Sequence, residues 1–375
     1  MDGLRVKLLY ISPGFTAHDW RFLTAFRVAD WDISHLRLTA NLIERRPVPT
    51  GVRVLHWSTA TGLPQCPLDC FRHWRAMKQM LVRSQPDVVL VGPVPTAAFL
   101  VALTGYRRYV AMSWGSDVLI EAFRDKASIE ATRYALDRAK GIFGDCNAVA
   151  ETVGSLVRPR PGALLTFPWG VDLERFHPGP SALTLGKQLG WENNRVLICT
   201  RSWEPVYGID TLLRAFAEVA SAYPDARLLL IGDGSLREQI ATMLRDPRLT
   251  GRVHAPGRIN NDALPDYFRM ADLYVSAAMS DGSSVSLLEA MACGLPVVVT
   301  AGYVNLEWVV PGQNGWLVKA GDAGELAEAL GSALSLGAHD LSRMRAANVA
   351  VTRERANWAE NVPRLRALLQ QVAKR

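Results

Sequence analysis

The sequence is short of several things, and each shortage removes a class of protein. No uninterrupted apolar run approaches the roughly 18 residues that a membrane-spanning helix needs. There are five cysteines, at 66, 70, 146, 199 and 293. That number is too small and too odd for a disulfide framework, and reads as free thiols in a reducing cytoplasm. Cys66 and Cys70 resemble half of a metal site, but no second Cys/His pair follows nearby, so both are taken as structural thiols. The opening MDGLRVKLLYIS is broken by Asp2, Arg5 and Lys7 and carries no cleavage-site pattern, so it reads as a first strand and not a signal peptide. GxxxxGK[ST], HExxH and GxSxG are all missing, which removes P-loop, zincin and serine-hydrolase chemistry.

What is present describes a globular chain of two domains. Its 375 residues exceed the size at which one core keeps growing. Apolar residues make up 49% and charged residues 21%, the balance of a folded protein. The net charge of +6 lies entirely in residues 1–175, which hold 22 Lys/Arg against 16 Asp/Glu. Residues 176–375 hold 20 of each. No interleaved aromatic and basic pattern accompanies the excess, so nucleic acid is not an expected partner. A phosphorylated acceptor or an anionic membrane surface would suit it.

A strand–loop–helix rhythm runs twice. Strands are expected at 5–12, 33–38, 52–57, 87–92, 108–113, 141–144 and 163–167, with helices at 20–29, 68–83, 96–104 and 126–140 between them. The segment DVVLVG is near-continuously apolar, as a strand covered on both faces should be. Prolines and glycines crowd 168–194, the expected connection. The rhythm then restarts, with strands at 195–200, 226–231, 253–256 and 272–277 and helices at 209–222, 262–270 and 322–336. Ser235 and Glu238 have the spacing of a capping box. The stretch 357–375 is amphipathic, with Trp358, Val362, Leu365, Leu368, Leu369 and Val372 on one side, and is expected to cross back onto the first domain.

The expected fold class is therefore α/β, with two Rossmann-like, doubly wound domains facing a cleft. The expected division is a first domain at residues 1–172, a linker at 173–194, a second domain at 195–356 and the final helix at 357–375. A nicotinamide site would need a full dinucleotide fingerprint. Gly232-Asp233-Gly234 supplies two glycines but Arg237 stands where the third would be.

One stretch carries the chemistry: SDGSSVSLLEAMACGLPVVVT, residues 280–300. A helix starting near Ser284 would leave Asp281 on the preceding loop and Glu289 in its second turn. Free backbone N–H groups and the helix dipole there favour a phosphate.

With TRSWEPVYGIDTLLRAFAEV, YPDARLLLIGDGSLREQI, GRVHAPGRINNDALPDYF and VVPGQNGWLV, this stretch resembles glycosyltransferase family 4. These are retaining nucleotide-sugar transferases of the GT-B fold. The likeness is close and in order over about 195–335 and loose before it. It implies transfer of a sugar from a nucleoside-diphosphate donor to a glycan, glycolipid or small-molecule hydroxyl, with no metal and no further cofactor. On that resemblance Glu289 binds the donor ribose and Asp281 faces the donor sugar, where the family usually has Glu. Ser283, Ser284 and Val285 bring backbone N–H groups to the sugar and pyrophosphate, and Arg201 clamps the pyrophosphate. Arg258 falls where the family's chain passes the nucleobase, and Gly14 where backbone approaches the diphosphate.

Two departures stand out. Tyr207 precedes Gly208 where the family has Lys, and Trp114 stands where it commonly has His. Trp114 cannot act as a base; it stays a candidate sugar or acceptor contact together with His18 and Asp117, the last two reading otherwise as a structural His and a turn-stabilising Asp. The alternative function is a catalytically weakened, transferase-like accessory subunit. Helix 71–83 interleaves Phe71, Trp74, Met77 and Leu81 with Arg72, Arg75, Lys78 and Arg83. It is either an ordinary helix packed on the first sheet or a membrane-facing one. The expected location is accordingly cytoplasmic, at the inner face of the plasma membrane in the second case.

Overall fold

The computed structural model describes residues 5–27, 31–39, 44, 46–57, 67–181 and 184–374, with the backbone alone at 67–70. Cys66 and the expected helical positions 28 and 29 lie outside the described residues. The chain divides into two compact units, Met1–Pro168 with Ala359–Arg375, and Trp169–Trp358.

In the first unit the strands are β1 (Val6–Ser12), β2 (Trp31–Arg37), β3 (Val52–Leu55), β4 (Val88–Val91), β5 (Tyr109–Met112), β6 (Gly141–Gly144) and β7 (Leu164–Thr166). They pair in the order β3-β2-β1-β4-β5-β6-β7, all parallel. Helices α1 (Ala17–Ala25), α2 (Pro67–Ser84), α3 (Phe99–Leu103), α4 (Ser116–Leu119), α5 (Lys126–Arg138) and α6 (Asn147–Leu156) join them, with a π-helical turn at Val94–Ala98 leading into α3. Strands β4, β5 and β6 are buried at every position, which is why they read as unbroken apolar runs.

The second unit begins with α7 (Leu185–Leu189), then alternates β8 (Arg195–Cys199), α8 (Ile209–Ala222), β9 (Ala226–Ile231), α9 (Arg237–Met243), β10 (Val253–Gly257), α10 (Leu264–Met270), β11 (Leu273–Ser276), α11 (Val285–Ala292), β12 (Val297–Thr300), β13 (Gly315–Val318) and α12 (Ala323–Leu334). Its sheet runs β10-β9-β8-β11-β12-β13, again parallel. In both sheets the strand order reverses beside the unit's first strand. Such a switch point opens a crevice at the carboxyl ends of the strands, β1 and β4 in one unit and β8 and β11 in the other.

Two helices complete the chain. Helix α13 (Ala338–Arg355) buries Met344, Asn348 and Thr352, a stripe at four-residue spacing that is mostly polar. Asn348 makes that stripe work: its Nδ2 donates to the carbonyls of Leu295 and Asn314 at 2.7 and 2.8 Å. Helix α14 (Trp358–Lys374) belongs to the first unit from Ala359 onward and buries Val362, Leu365, Leu368, Leu369 and Val372. Leu368 lies so close to Gly141 that a Cβ there would meet its methyls at 3.2 Å. Arg364 stacks over Phe167 at 5.2 Å.

The capping box expected at Ser235 does not form. Leu236 precedes α9 without a side-chain cap, and Ser235 turns instead to Glu204, which accepts from its backbone N–H at 3.0 Å and from its hydroxyl. A carboxylate from a distant loop thus takes the hydroxyl that local spacing would assign to the helix end.

Candidate active site

The loops after β8 and β11 flank the switch point of the second unit and are fastened to each other. The Met279 N–H donates to the Val206 carbonyl at 2.7 Å. Gly208, at φ +59°, sits so close to Ala277 that a Cβ would lie 2.3 Å from its carbonyl oxygen. Gly232 and Gly234 are required for the same kind of reason: a Cβ would meet the carbonyls of Arg201 at 2.2 Å and Trp203 at 2.5 Å. The GDG segment therefore seats the Arg201–Trp203 backbone, which accounts for two glycines with no third.

Arg201, 8% exposed, is the centre of what those loops hold. Its Nη1 donates to the Ser284 and Ser286 hydroxyls at 2.8 and 3.1 Å, and its Nη2 forms an ion pair with Asp281 Oδ2 at 2.6 Å. The guanidinium lies over the Tyr207 ring at 4.1 Å, and its Nε is buried without a hydrogen-bond partner. Tyr274, from β11, shares a hydrogen bond of 2.9 Å with Ser286. Burial alone would lower the Arg201 pKa, but Asp281 and the neighbouring hydroxyl and thiol groups raise it overall, so the charge is permanent.

Ser284 also caps α11, its Oγ accepting from the Leu287 N–H at 3.4 Å. Ser283 is buried beside it and Val285 is half-buried. Glu289, 8% exposed, sits on the second turn of α11 amid buried Leu288 and Ala290. Arg201, Asp281 and Ser284 are thus in direct contact, with Ser283, Val285 and Glu289 on the same loop-and-helix unit. Arg258 is exposed after β10 and acts electrostatically on Glu204 and Asp233. Sequence reasoning did not single out Ser286 or Tyr274. It marked Tyr207 as a lost cation, whereas its ring supports the Arg201 cation.

In the first unit Asp117 is turned inward. Its Oδ1 accepts from the Ser113 hydroxyl and the Trp114 N–H, and its Oδ2 from the Val94 N–H, at 2.7–2.8 Å. It is 1% exposed, and burial raises its pKa to about 6. It ties the loop after β5 to the start of the π-helical turn after β4, with half-buried Trp114 between. Gly14 is buried after β1, its carbonyl accepting from Ser12 at 3.0 Å, and His18 lies half-buried in the first turn of α1. Among the described residues no three His, Cys, Asp or Glu side chains converge as a metal site. Cys146, Cys199 and Cys293 are buried and take part in no disulfide among the described residues.

Two parallel Rossmann-like sheets, each with a switch point, make the GT-B fold, and the second carries an arginine–serine cradle at a helix N-terminus. Family comparisons agree across most of the chain: the description "Glycosyl transferase 4-like" matches residues 7–145 and "Glycosyl transferases group 1" matches residues 184–350. The chain belongs to glycosyltransferase family 4 and is a nucleotide-sugar-dependent glycosyltransferase. A curated relative from Mycolicibacterium smegmatis, a GDP-mannose-dependent alpha-(1-6)-phosphatidylinositol monomannoside mannosyltransferase, is 28% identical over 78% of this chain and 77% of its own. Among solved structures, sucrose-phosphate synthase from Thermosynechococcus elongatus superimposes with a TM-score of 0.79 at 19% identity, covering 98% of this chain and 99% of its own. Anabaena HepE, solved in complex with UDP, gives 0.77 at 18%, covering 98% and 100%.

Proposed function

We propose that the chain moves a hexosyl group, with retention of configuration, from a nucleoside-diphosphate sugar to a hydroxyl of a lipid-linked or glycan acceptor at a membrane surface. The observation that carries this is the Arg201 guanidinium, held by Ser284, Ser286 and Asp281 at the N-terminus of α11. A diphosphate arriving there meets a fixed cation with an unused Nε–H and the first N–H groups of a helix. Those groups neutralise charge as it builds on the leaving diphosphate, a role that calls for no metal ion. Asp281 is ion-paired and so poorly placed to attack an anomeric carbon. The consistent route is front-face transfer, in which the departing diphosphate takes the proton of the acceptor hydroxyl while the protein supplies position and electrostatics.

Membrane contact is assigned to α2. It exposes Phe71 by 55% and Val82 by 66%, beside exposed Arg72, Arg75, Lys78 and Arg83, and residues 70–86 contain no Asp or Glu. Exposed apolar side chains interleaved with cations on one face suit anionic lipid. Among the described residues no helix is long and apolar enough to cross a membrane.

The test is transfer by the full chain from GDP-mannose and from UDP-glucose to phosphatidylinositol and diacylglycerol acceptors, with EDTA present and the product anomer read by NMR. Retained configuration at an undiminished rate supports the proposal. An inverted product, a requirement for added metal, or no turnover with any donor would sink it. Flotation with anionic vesicles, lost in a Phe71→Ser, Lys78→Glu double variant, tests the α2 face.

A further inference from the structure

The first unit holds a second cation that the donor chemistry does not use. Arg37 ends β2 directly opposite Ser12, the last residue of β1. Past that pair the chains stay joined, Leu38 N–H donating to the Ser12 carbonyl at 3.1 Å and Thr39 N–H to the Pro13 carbonyl at 2.7 Å. Arg37 therefore stands at the carboxyl edge of the sheet, beside the loop that carries Gly14. This is the edge where parallel sheets take ligands.

A hydrogen-bonded relay fixes its guanidinium. Arg37 Nε donates to His35 Nδ1 at 3.4 Å, so Nδ1 is the acceptor and the His35 proton sits on Nε2. That N–H reaches Ser12 Oγ at 2.9 Å, and the Ser12 hydroxyl donates onward to the Gly14 carbonyl at 3.0 Å. Every donor in the relay has one acceptor. His35 is fully buried and burial lowers its pKa to about 3, so the imidazole stays neutral and the relay keeps its direction at neutral pH.

The charge of Arg37, by contrast, is not answered. It lies over the Phe15 ring at 4.5 Å, and its Nη2 is buried with no hydrogen-bond partner. No carboxylate of the described residues forms an ion pair with it. Asp19 acts on it electrostatically, but the oxygens of Asp19 are taken by Tyr10 at 2.8 Å and by the Thr16 N–H and hydroxyl, each at 2.7 Å. An orphaned charged donor is costly, and one in a folded protein calls for an explanation. Arg37 as a whole is only half-buried, at the edge of the sheet.

We propose that Arg37 receives a phosphoryl group of the acceptor substrate, with the His35–Ser12 relay holding the guanidinium in register with the Gly14 loop. The ligand class is an organic phosphate, either a soluble phosphomonoester or the phosphodiester of a lipid headgroup. This rests on the proposed transferase function and gives its acceptor a chemical identity.

The experiment uses the full chain, wild type and Arg37→Gln and Arg37→Lys variants, with calorimetric binding of glycerol 3-phosphate and, separately, of phosphatidylglycerol against diacylglycerol in the same neutral detergent micelles. Loss of a charge-assisted contact weakens phosphate binding about tenfold or more in Arg37→Gln, and Arg37→Lys, which keeps the charge and loses the fork, falls between. Binding of glycerol 3-phosphate identifies a soluble phosphomonoester as the source; binding of phosphatidylglycerol alone identifies a lipid. A wild type that binds neither phosphate, or variants that bind both as the wild type does, overturns the proposal. GDP and UDP binding, measured on the same samples, reports on the second unit. Its retention in Arg37→Gln shows the second unit intact, unchanged hydrogen exchange in β1 and β2 shows the first unit folded, and absence of nucleotide binding in the wild type would count against the donor chemistry while leaving the phosphate result to stand.

Discussion

Arg201 and Asp281 face each other across the ends of β8 and β11, Nη2 to Oδ2 at 2.6 Å, with the arginine side chain 9% and the aspartate 26% exposed. Without donor, the cation proposed to receive a diphosphate is already neutralised by the carboxylate proposed to face the sugar. A longer glutamate could reach past the guanidinium. The aspartate instead ends on it, so donor binding in this chain is a competition between two anions for one arginine.

That competition sets the outcome for Asp281→Asn. Removing the carboxylate uncovers Arg201, so GDP or UDP should bind about three- to tenfold more tightly, the equivalent of on the order of 1 kcal/mol. The same change leaves a buried cation unpaired, so the melting temperature should fall, and sugar transfer should slow because the sugar-facing group is lost. Titration calorimetry beside a thermal melt and a rate measurement reads all three. Weaker nucleotide binding in this variant would show that Asp281 does not compete with the diphosphate.

Tyr207 tests the other side of the guanidinium. Its ring centre lies 4.1 Å from the Arg201 guanidinium carbon, and the ring face is the direct contact. Tyr207→Phe should keep donor KM and kcat, while Tyr207→Ala should cost about two- to thirtyfold in kcat/KM, the range of a partly desolvated cation–π contact. Equal losses in both variants would transfer the role to the hydroxyl.

The sheets were readable because strands such as Val88–Val91 are buried on both faces and therefore have no polar phase to hide behind. Helix α8 was readable because its apolar residues share one face. Helix α13 was not, since its buried stripe is built from Asn348 and Thr352, whose partners are carbonyls supplied by other segments. The cap at Ser235 failed for the same reason, with Glu204 arriving from 31 residues away. At the site, the loop-and-helix text from Asp281 to Glu289 was legible as a motif. The contacts that orient Arg201, through Ser286, Tyr274 and Tyr207, were not, because a hydroxyl or ring next to a cation has no sequence signature. The Arg37–His35–Ser12 relay escaped notice because its members alternate along two strands and meet only once β1 and β2 pair.

Helix α14 should be essential to the first unit. Leu369 is fully buried, and truncating such a side chain to Ala costs about 2–5 kcal/mol. Hydrogen exchange read by mass spectrometry on Leu369→Ala should show faster exchange in β5, β6 and β7 and an unchanged second unit. Uniform acceleration throughout the chain, or none, would contradict the packing described.

Stability of the first unit should carry two opposing pH dependences. His35 has a folded pKa of about 3 against 6.5 when free, so between those values the unfolded chain binds the extra proton and stability is lost as pH falls. Asp117 has a folded pKa of about 6 against 3.8, so there the folded chain binds the extra proton and stability is lost as pH rises. Each contributes a slope of about 1.4 kcal/mol per pH unit where it acts alone, and between pH 4 and 6 the two act against each other. His35→Gln removes the first slope, so relative to wild type it should gain stability on acidification from pH 6 to 4. Asp117→Asn removes the second and disrupts the Val94, Ser113 and Trp114 contacts, so it should be less stable throughout and lose further ground over the same interval. Melting temperatures taken across that range decide the matter: if both variants track the wild-type slope, the titrations of these two buried groups are not linked to folding.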